Sequence, residues 1–245
     1  MHQDRSRDGV GDQAIRRAGI IAGSALLVVT VLSVFAFIVV IKGVVVDGDA
    51  ARTASNILGS QDRFRIAVAC LALVAVFDVI LAWALRVFFA PVSKLISNLA
   101  ATGRVAYAAV FLVATAHLIV VSQLLMGNET RSGVTTAELK AQGLLQIDTF
   151  TAVWNAGLVL FGFDLLLLAY LAIRSSYVPT WLGILLVPAG CGYVIDSFGL
   201  IFVRDYSASA ANFTFIGEAL FMLWLLVRSR HIRLGDEFRP PAALG

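Results

Sequence analysis

Long apolar runs recur along the chain, each of about 20 residues or more, with the charged residues gathered mostly between them. The hydrocarbon core of a bilayer is roughly 30 Å thick, and a helix needs about 20 residues to cross it. With 59% hydrophobic residues, 14% charged residues and a mean hydropathy of +0.87, the chain does not have the composition of a water-soluble domain. The sequence therefore predicts a polytopic membrane protein.

The fold class predicted from these runs is an all-α bundle of six transmembrane helices. The runs are too long and too uniformly apolar for barrel strands, which alternate, and a helix satisfies its own backbone hydrogen bonds in lipid. The spans are predicted near residues 18–41, 66–89, 105–126, 149–173, 180–203 and 208–228, which together form one domain, 18–228. The segments 1–17 and 229–245 are predicted to be mobile cytoplasmic tails.

The distribution of basic residues orients the bundle. If the N-terminus is cytoplasmic, the inner segments, in which we count Arg104, hold twelve of the 19 Lys and Arg residues and the outer segments hold seven. Cytoplasmic loops are enriched in Lys and Arg, so both termini are expected inside. The net charge of +3 is thus interpreted as a topology signal, and no nucleic-acid partner is predicted.

The middle of each of the second to sixth predicted helices carries one acid or histidine, and the first helix carries none. These side chains are Asp78, His117, Asp164, Asp196 and Glu218. The spacing from three of the acids to the arginine that ends their helix, at a rise of about 1.5 Å per residue, places those acids near mid-bilayer. The first helix is expected to be the most peripheral.

The middle parts of the predicted spans contain four carboxyl groups and one histidine, whereas the arginines within the span bounds, Arg86 and Arg228, lie near the cytoplasmic ends. Internal salt bridges are therefore not expected, and an isolated charge in the membrane costs about 2.5–3.5 kcal/mol on insertion scales. Protonation, a bound cation or a water-filled cavity would then neutralise or solvate the acids. The alternative is structural: neutral acids that hydrogen-bond between helices, each bond worth about 0.6 kcal/mol.

This reasoning predicts a site for a proton, an ion or a polar ligand. Its residues would be Asp78, His117, Asp164, Tyr193, Asp196 and Glu218. Asp78, Asp164 and Glu218 would hold the proton or cation, Tyr193 and Asp196 would line the outer approach, and His117 would be a relay. Taken alone, His117 is more typical of a satisfied core histidine than of a metal ligand.

Several local patterns add structural hypotheses. Pro188, Gly190 and Gly192 form a candidate hinge in the fifth helix, with a static kink as the alternative. Gly19 and Gly23 have the spacing of close helix contacts or dimerisation. Thr135 and Glu138 have the spacing of a capping box, which predicts a short surface helix within 127–147.

The sequence lacks the phosphate-binding loop, the HExxH, the GxSxG and the CxxC motifs. No cofactor, metal site or catalytic residue is predicted, and Cys70 and Cys191 lie within spans as small hydrophobic residues. The predicted function is a proton- or cation-linked carrier or ligand-binding protein. A membrane sensor or assembly subunit with structural acids is the main alternative, and an intramembrane enzyme that pairs His117 with an acid is a third.

The predicted partners are the lipid bilayer together with protons, a monovalent cation or a small polar or cationic ligand.

The chain resembles the bacterial membrane family of unknown function numbered 4386 in three stretches. These are RSSYVPTWLGILLVPAGCGYVIDSF at 174–198, IGEALFMLWLL at 216–226 and residues 77–108. The shared motif falls on Arg174, Ser175, Tyr177, Pro179, Gly192, Tyr193, Asp196, Ser197, Gly217 and Glu218. Where the family pattern has histidine in the fourth helix, this chain has Asp164. The resemblance implies a six-helix, multi-pass protein of the bacterial cytoplasmic membrane and assigns no activity.

Overall fold

The computed structural model of the protein describes residues 2–127, 134–204, 206 and 211–232, and this part of the chain is helical apart from its connections. The elements are α1 (His2–Val34), a π-helical stretch (Phe35–Ile41), α2 (Lys42–Val44), α3 (Ala50–Gly59), α4 (Gln61–Phe89), α5 (Lys94–Met126), α6 (Thr136–Arg174), α7 (Thr180–Phe202), α8 (Ala211–Arg228) and a 3₁₀ turn (Ser229–His231).

Five helical segments of the described chain are long and apolar enough to cross a membrane: Gly11–Val44, α4, α5, α6 and α7. They correspond to the first five predicted spans. The sixth predicted span corresponds to α8, which has 18 residues and is not among the five. The start of that span, residues 208–210, and most of the C-terminal tail lie outside the described residues.

The predicted spans end close to where the helices end, but several of the helices begin much earlier. Both α4 and α5 end at the predicted residues, whereas α5 begins at Lys94 rather than at 105 and α6 at Thr136 rather than at 149. α1 likewise begins at His2. Hydropathy detects the apolar part of a helix, whereas backbone hydrogen bonding continues through polar turns at its end.

The capping box forms, but it does not begin a separate surface helix. The backbone N–H and the hydroxyl of Thr135 both donate to Glu138, over 2.7 and 2.8 Å, and the N–H of Glu138 donates back to the hydroxyl over 3.3 Å. The helix that it starts is α6, which continues without a break to Arg174. The predicted short helix is therefore wrong, because no breaker separates the polar first turns from the apolar span.

A short helix that the sequence analysis missed, α3, lies between the first two spans. The side chain of Asp49 accepts the N–H of Arg52 over 2.8 Å and so caps the helix, while Gly48 has a φ of 73° in the preceding turn. Thr53, Ala54 and Ile57 form its buried face. In the sequence, this helix could have been recognised from the capping residue Asp49 and from the helical spacing of Thr53, Ala54 and Ile57.

The first helix packs closely against the last, through the glycine pair. A Cβ at Gly23 would lie 3.0 Å from the backbone N of Leu226, and one at Gly19 would collide with Ser229. Ala18 and Ala22 on the same helix are buried as well. The two glycines therefore serve a contact within the chain, although Gly11–Val44 is still the least buried of the five candidate spans.

The chain divides into two compact units. Unit 1 takes its described residues from Met1–Leu27, Asp78–Tyr107 and Leu158–Gly245, and unit 2 from Val28–Phe77 and Ala108–Gly157. Within unit 2, Phe37 stacks on Trp154 at 4.7 Å between ring centroids, and Phe150 and Phe111 extend this aromatic core. Within unit 1, Phe88 makes edge contacts with Phe89 and Tyr177.

Candidate functional site

A buried arginine joins two of the predicted acids in unit 1. The guanidinium of Arg104 lies 3.0 Å from Asp78 Oδ1 through Nη1 and 2.5 Å from Asp164 Oδ2 through Nη2. The three residues are 3%, 2% and 1% exposed. The guanidinium also lies 4.8 Å above the ring of Phe161, a cation–π contact. Helices α4, α5 and α6 thus meet at one ion-paired centre.

This centre overturns the expectation that internal salt bridges are absent. We assigned Arg104 to the cytoplasmic segment before the third span, but α5 begins at Lys94, so Arg104 lies about 15 Å along the helix. Its neighbours Ala100, Ala108 and Phe111 are buried at helical spacing on the same face. That stripe was the signal in the sequence: an arginine in the middle of a buried face requires an acidic partner.

Glu218 of α8 is the third acid of this centre. It interacts electrostatically with Arg104, Asp78 and Asp164, and it accepts a hydrogen bond of 3.1 Å from the hydroxyl of Tyr193 on α7. Two carboxyl groups therefore contact the guanidinium, and a third, that of Glu218, interacts with it electrostatically without a direct ion pair. If all were ionised, the group would carry a net charge of −2. We call Asp78, Arg104, Asp164 and Glu218 the arginine–acid cluster.

The arginine–acid cluster does not use all of its hydrogen-bonding groups. Among the described residues, the Nε–H of Arg104 has no acceptor although it is buried. A buried donor of this kind costs about 1–3 kcal/mol relative to a satisfied one. The cluster therefore differs from a closed structural network, in which every donor and acceptor is paired.

Asp196 has a different partner from the one expected. It accepts a hydrogen bond of 2.8 Å from the hydroxyl of Tyr206, which lies between α7 and α8. The ring of Tyr206 lies against Gly199, where a Cβ would come within 2.6 Å of it. The hydrogen bond to Asp196 raises the pKa of Tyr206 above its ordinary value. The partner that the sequence suggests is Tyr193, one turn before Asp196, and the hydroxyl of Tyr193 donates to Glu218.

His117 belongs to unit 2. Its Nδ1 lies 2.6 Å from Oε1 of Gln146, which joins α5 to α6. An amide oxygen only accepts, so the imidazole donates from Nδ1 in this arrangement. His117 is thus a half-buried, hydrogen-bonded histidine, and its role as a relay for the acids stays a prediction.

The candidate hinge lies in a continuous helix. α7 runs through Pro188 without a break, and Gly190 packs against Gly162 of α6. A Cβ at Gly190 would lie 2.8 Å from the carbonyl oxygen of Gly162, and one at Gly162 would lie 2.7 Å from that of Gly190. Close packing of α6 and α7 thus accounts for Gly190, and hinge motion at Pro188 and Gly192 stays a prediction.

A narrow crevice leads from the arginine–acid cluster toward the turn between α4 and α5. Its walls come too close together to admit a water molecule. The lining residues are Ala82, Leu85, Arg86, Ser97, Ala100, Ala101, Arg104, Asp164 and Leu168. Arg86 at one end is exposed, whereas Arg104 and Asp164 at the other are buried.

Comparison with known proteins identifies the family. The profile of the family described as "Domain of unknown function (DUF4386)" matches residues 21–229, which include every residue of the arginine–acid cluster. The chain belongs to this family. An uncharacterized protein of Archaeoglobus fulgidus is 34% identical to the DUF4386 chain over 160 residues, or 65% of this chain and 82% of the relative. No solved structure matches the DUF4386 chain described here.

Several residues of the DUF4386 motif stabilise the turn between α6 and α7. The hydroxyl of Ser175 accepts the N–H of Val178 over 3.1 Å, and the buried hydroxyl of Tyr177 donates to the carbonyl oxygen of Phe88 over 2.7 Å. Burial raises the pKa of Tyr177.

Another residue of the motif, Gly217, lets α8 approach α7, because a Cβ there would lie 2.7 Å from the carbonyl oxygen of Leu185. These residues stabilise helix packing, whereas Glu218 belongs to the arginine–acid cluster and Tyr193 donates a hydrogen bond to it.

Proposed function

We propose that the protein is a proton- or cation-linked carrier or ligand-binding protein of the cytoplasmic membrane. In this proposal the arginine–acid cluster binds and releases a proton or a monovalent cation. The supporting observation is the charge balance of the cluster: Arg104 compensates one negative charge, whereas Asp78, Asp164 and Glu218 supply up to three. In a medium of low dielectric constant the remaining negative charge requires a mobile cation, and a proton is the smallest.

The narrowness of the crevice favours a proton over a larger ion in the arrangement described. A hydrated cation does not fit where a water molecule does not, but a proton crosses as soon as a chain of water molecules enters. Alternating access would then widen the crevice by a small separation of α4 and α5, whose facing residues Ala82, Ala100 and Ala101 are small.

A structural role is the second candidate function, favoured by the two direct ion pairs of Arg104. A sensor or assembly subunit would need these pairs only to fix the positions of α4, α5 and α6. The excess acid and the spare Nε–H argue against it, because a network that serves only for stability gains from full satisfaction.

Proton flux into proteoliposomes under an imposed membrane potential, read with an internal pH dye, tests the proposal. We expect flux from the wild type and at least a tenfold loss in Glu218→Gln, which removes the exchangeable proton but keeps the shape of the side chain. Asp148→Asn is the matched control, because Asp148 is exposed on the same helix as Asp164. Wild-type flux no greater than that of protein-free vesicles, or equal flux in Glu218→Gln, would refute proton coupling.

A second measurement separates the two candidate functions. Infrared difference spectra between pH 5 and pH 9 report the C=O stretch of protonated carboxylic acids directly. The proposal expects a band that Glu218→Gln or Asp164→Asn removes and Asp148→Asn leaves. A structural cluster would give no such band, and the same substitutions would lower only the stability.

The proposed topology has six spans, with α8 as the sixth and both termini cytoplasmic. Since Arg104 is buried, it leaves the count of inner basic residues, which becomes 12 − 1 = 11 against seven. The excess on the inner side therefore persists. We expect green fluorescent protein fused to the C-terminus to fluoresce, because that end is cytoplasmic in this topology. We expect alkaline phosphatase inserted between α5 and α6 to be active, because that connection lies outside. The opposite pattern would invert the bundle.

A further inference from the structure

A second cavity lies at the turn between α4 and α5, within unit 1. Its volume is about 350 Å³, and its lining residues are Arg86, Val87, Ala90, Lys94 and Asn98. We call it the turn pocket. It adjoins the crevice described above through their common residue Arg86. The helices α4 and α5 end at Phe89 and begin at Lys94, and the sequence predicts that their apolar spans end at 89 and begin at 105, so we place the turn pocket near a membrane surface.

Two of the five residues that line the turn pocket, Arg86 and Lys94, are basic. Arg86 donates a hydrogen bond of 2.5 Å to the amide oxygen of Asn98, which is uncharged. In the described part of the chain, neither Arg86 nor Lys94 forms an ion pair with an acid. Both side chains are exposed, so a ligand can reach them from solvent. An arginine and a lysine in this arrangement favour an oxyanion with several acceptor oxygens.

The backbone adds to this positive potential. Lys94 is the first residue of α5, whose 33 residues present the positive end of the helix dipole to the turn pocket. Ser93 satisfies only part of this helix end, by accepting the N–H of Ile96 over 3.3 Å. A phosphate at a helix N-terminus is a favourable arrangement, and at the start of α5 two basic side chains lie beside it.

The surroundings of the turn pocket are those of a membrane interface. Trp83, one turn before Arg86 on α4, is 55% exposed, which is typical of the aromatic belt at headgroup level. On α5, Leu95 and Leu99 are 79% and 57% exposed beside Lys94 and Asn98. Apolar side chains next to a cationic pocket suit a ligand with a charged head and a hydrocarbon tail.

We propose that the turn pocket binds a phosphate group with net negative charge, of the kind that an anionic phospholipid or a free phosphate carries. Arg86 and Lys94 contact its oxygens, Asn98 orients Arg86, and the start of α5 contributes its dipole. The evidence for this site does not rest on proton exchange at the arginine–acid cluster, although the two cavities share Arg86. A ligand there would lie at the mouth of the crevice.

Lipid binding to the purified protein, measured by native mass spectrometry, tests the site. The probes are phosphatidylglycerol, which is anionic, and phosphatidylcholine, which has no net charge. We expect the wild type to prefer phosphatidylglycerol, and R86Q/K94Q to bind it about thirtyfold more weakly, since each basic residue near an anionic lipid surface contributes about fivefold. Binding of phosphatidylcholine should be the same in both proteins.

Two further variants make the result decisive. R63Q/R65Q removes the same charge from exposed positions at the other end of α4 and should keep the preference of the wild type. R86K/K94R keeps both charges and should retain most of the binding, which also controls for misfolding. The proposal is overturned if R86Q/K94Q binds phosphatidylglycerol as the wild type does, or if R63Q/R65Q loses as much.

Inorganic phosphate distinguishes the two sources of the ligand. If the site is built for a free anion, millimolar phosphate displaces phosphatidylglycerol from the wild type, and R86Q/K94Q no longer responds to it. If the site is built for a lipid, phosphate fails to compete while the preference for phosphatidylglycerol persists. Both outcomes assign the turn pocket to a phosphate group.

Discussion

Arg104 Nη2 lies 2.5 Å from Asp164 Oδ2, and the side chains of the two residues are 3% and 2% exposed. An ion pair at this depth contributes less than its Coulomb energy to stability, because both groups lose their hydration. Its removal is nevertheless costly, since the partner left behind is a buried charge. The consequences of this asymmetry can be measured.

Arg104→Gln is expected to destabilise the protein by about 3–5 kcal/mol, the usual cost of leaving a buried charge without its partner. Unfolding of the purified protein in mixed micelles, followed by circular dichroism, gives the free energy. Arg63→Gln, at an exposed position of α4, should change it by less than about 0.5 kcal/mol. Adding Asp78→Asn to Arg104→Gln should restore part of the loss. Equal stability of Arg104→Gln and the wild type would contradict the ion-paired centre.

Gly162→Ala is expected to cost about 1–3 kcal/mol, because the added methyl group overpacks the contact between α6 and α7. Its Cβ would lie 2.7 Å from the carbonyl oxygen of Gly190 and from Val194. Gly59→Ala is the matched control, since no atom lies within 4 Å of its Cβ position, and it should be neutral or slightly stabilising. The same unfolding assay compares them. A neutral Gly162→Ala would show that the two helices are not in close contact.

Tyr177→Phe gives a prediction about pH. Burial raises the pKa of the folded-state phenol above its ordinary value of about 10, so above that pH the unfolded chain loses the proton and the folded one keeps it. Stability of the wild type should therefore fall as the pH rises above 10, and Tyr177→Phe should fall less steeply. Between pH 6 and 9 the difference between the two proteins should be constant. Parallel curves up to pH 11 would mean that Tyr177 ionises freely.

Gly23→Val tests whether the Gly19 and Gly23 pair serves packing within the chain. The side chain would enter the contact between α1 and α8 at Leu225 and Leu226, so the melting temperature should fall while the oligomeric state stays the same. Light scattering after size-exclusion chromatography measures the second quantity. Gly11→Val, on the same helix with open space around it, is the control. A change in molecular mass without a loss of stability would favour an intermolecular contact.

The amino-acid sequence by itself determined the class of fold, the membrane environment and the five apolar helices, because these depend on properties that add up along the chain. Hydropathy over about 20 residues is such a sum, and the motif from Arg174 to Glu218 is local enough to identify the family. The Thr135 and Glu138 capping box is equally local, and its hydrogen bonds form as its spacing predicts.

Only the tertiary structure decided which groups pair. Hydropathy places Arg104 in a loop, because any charged residue lowers the average hydropathy of a segment, whether its side chain faces the core or the solvent. Its pairing with Asp78 and Asp164, 26 and 60 positions away along the chain, depends on the rotation of three helices about their axes. Likewise Tyr193 donates a hydrogen bond to Glu218, 25 positions away, and Tyr206 donates one to Asp196 across Gly199. Helix rotation and contacts between distant segments are not additive along the sequence, and these contacts determine the charge of the buried centre.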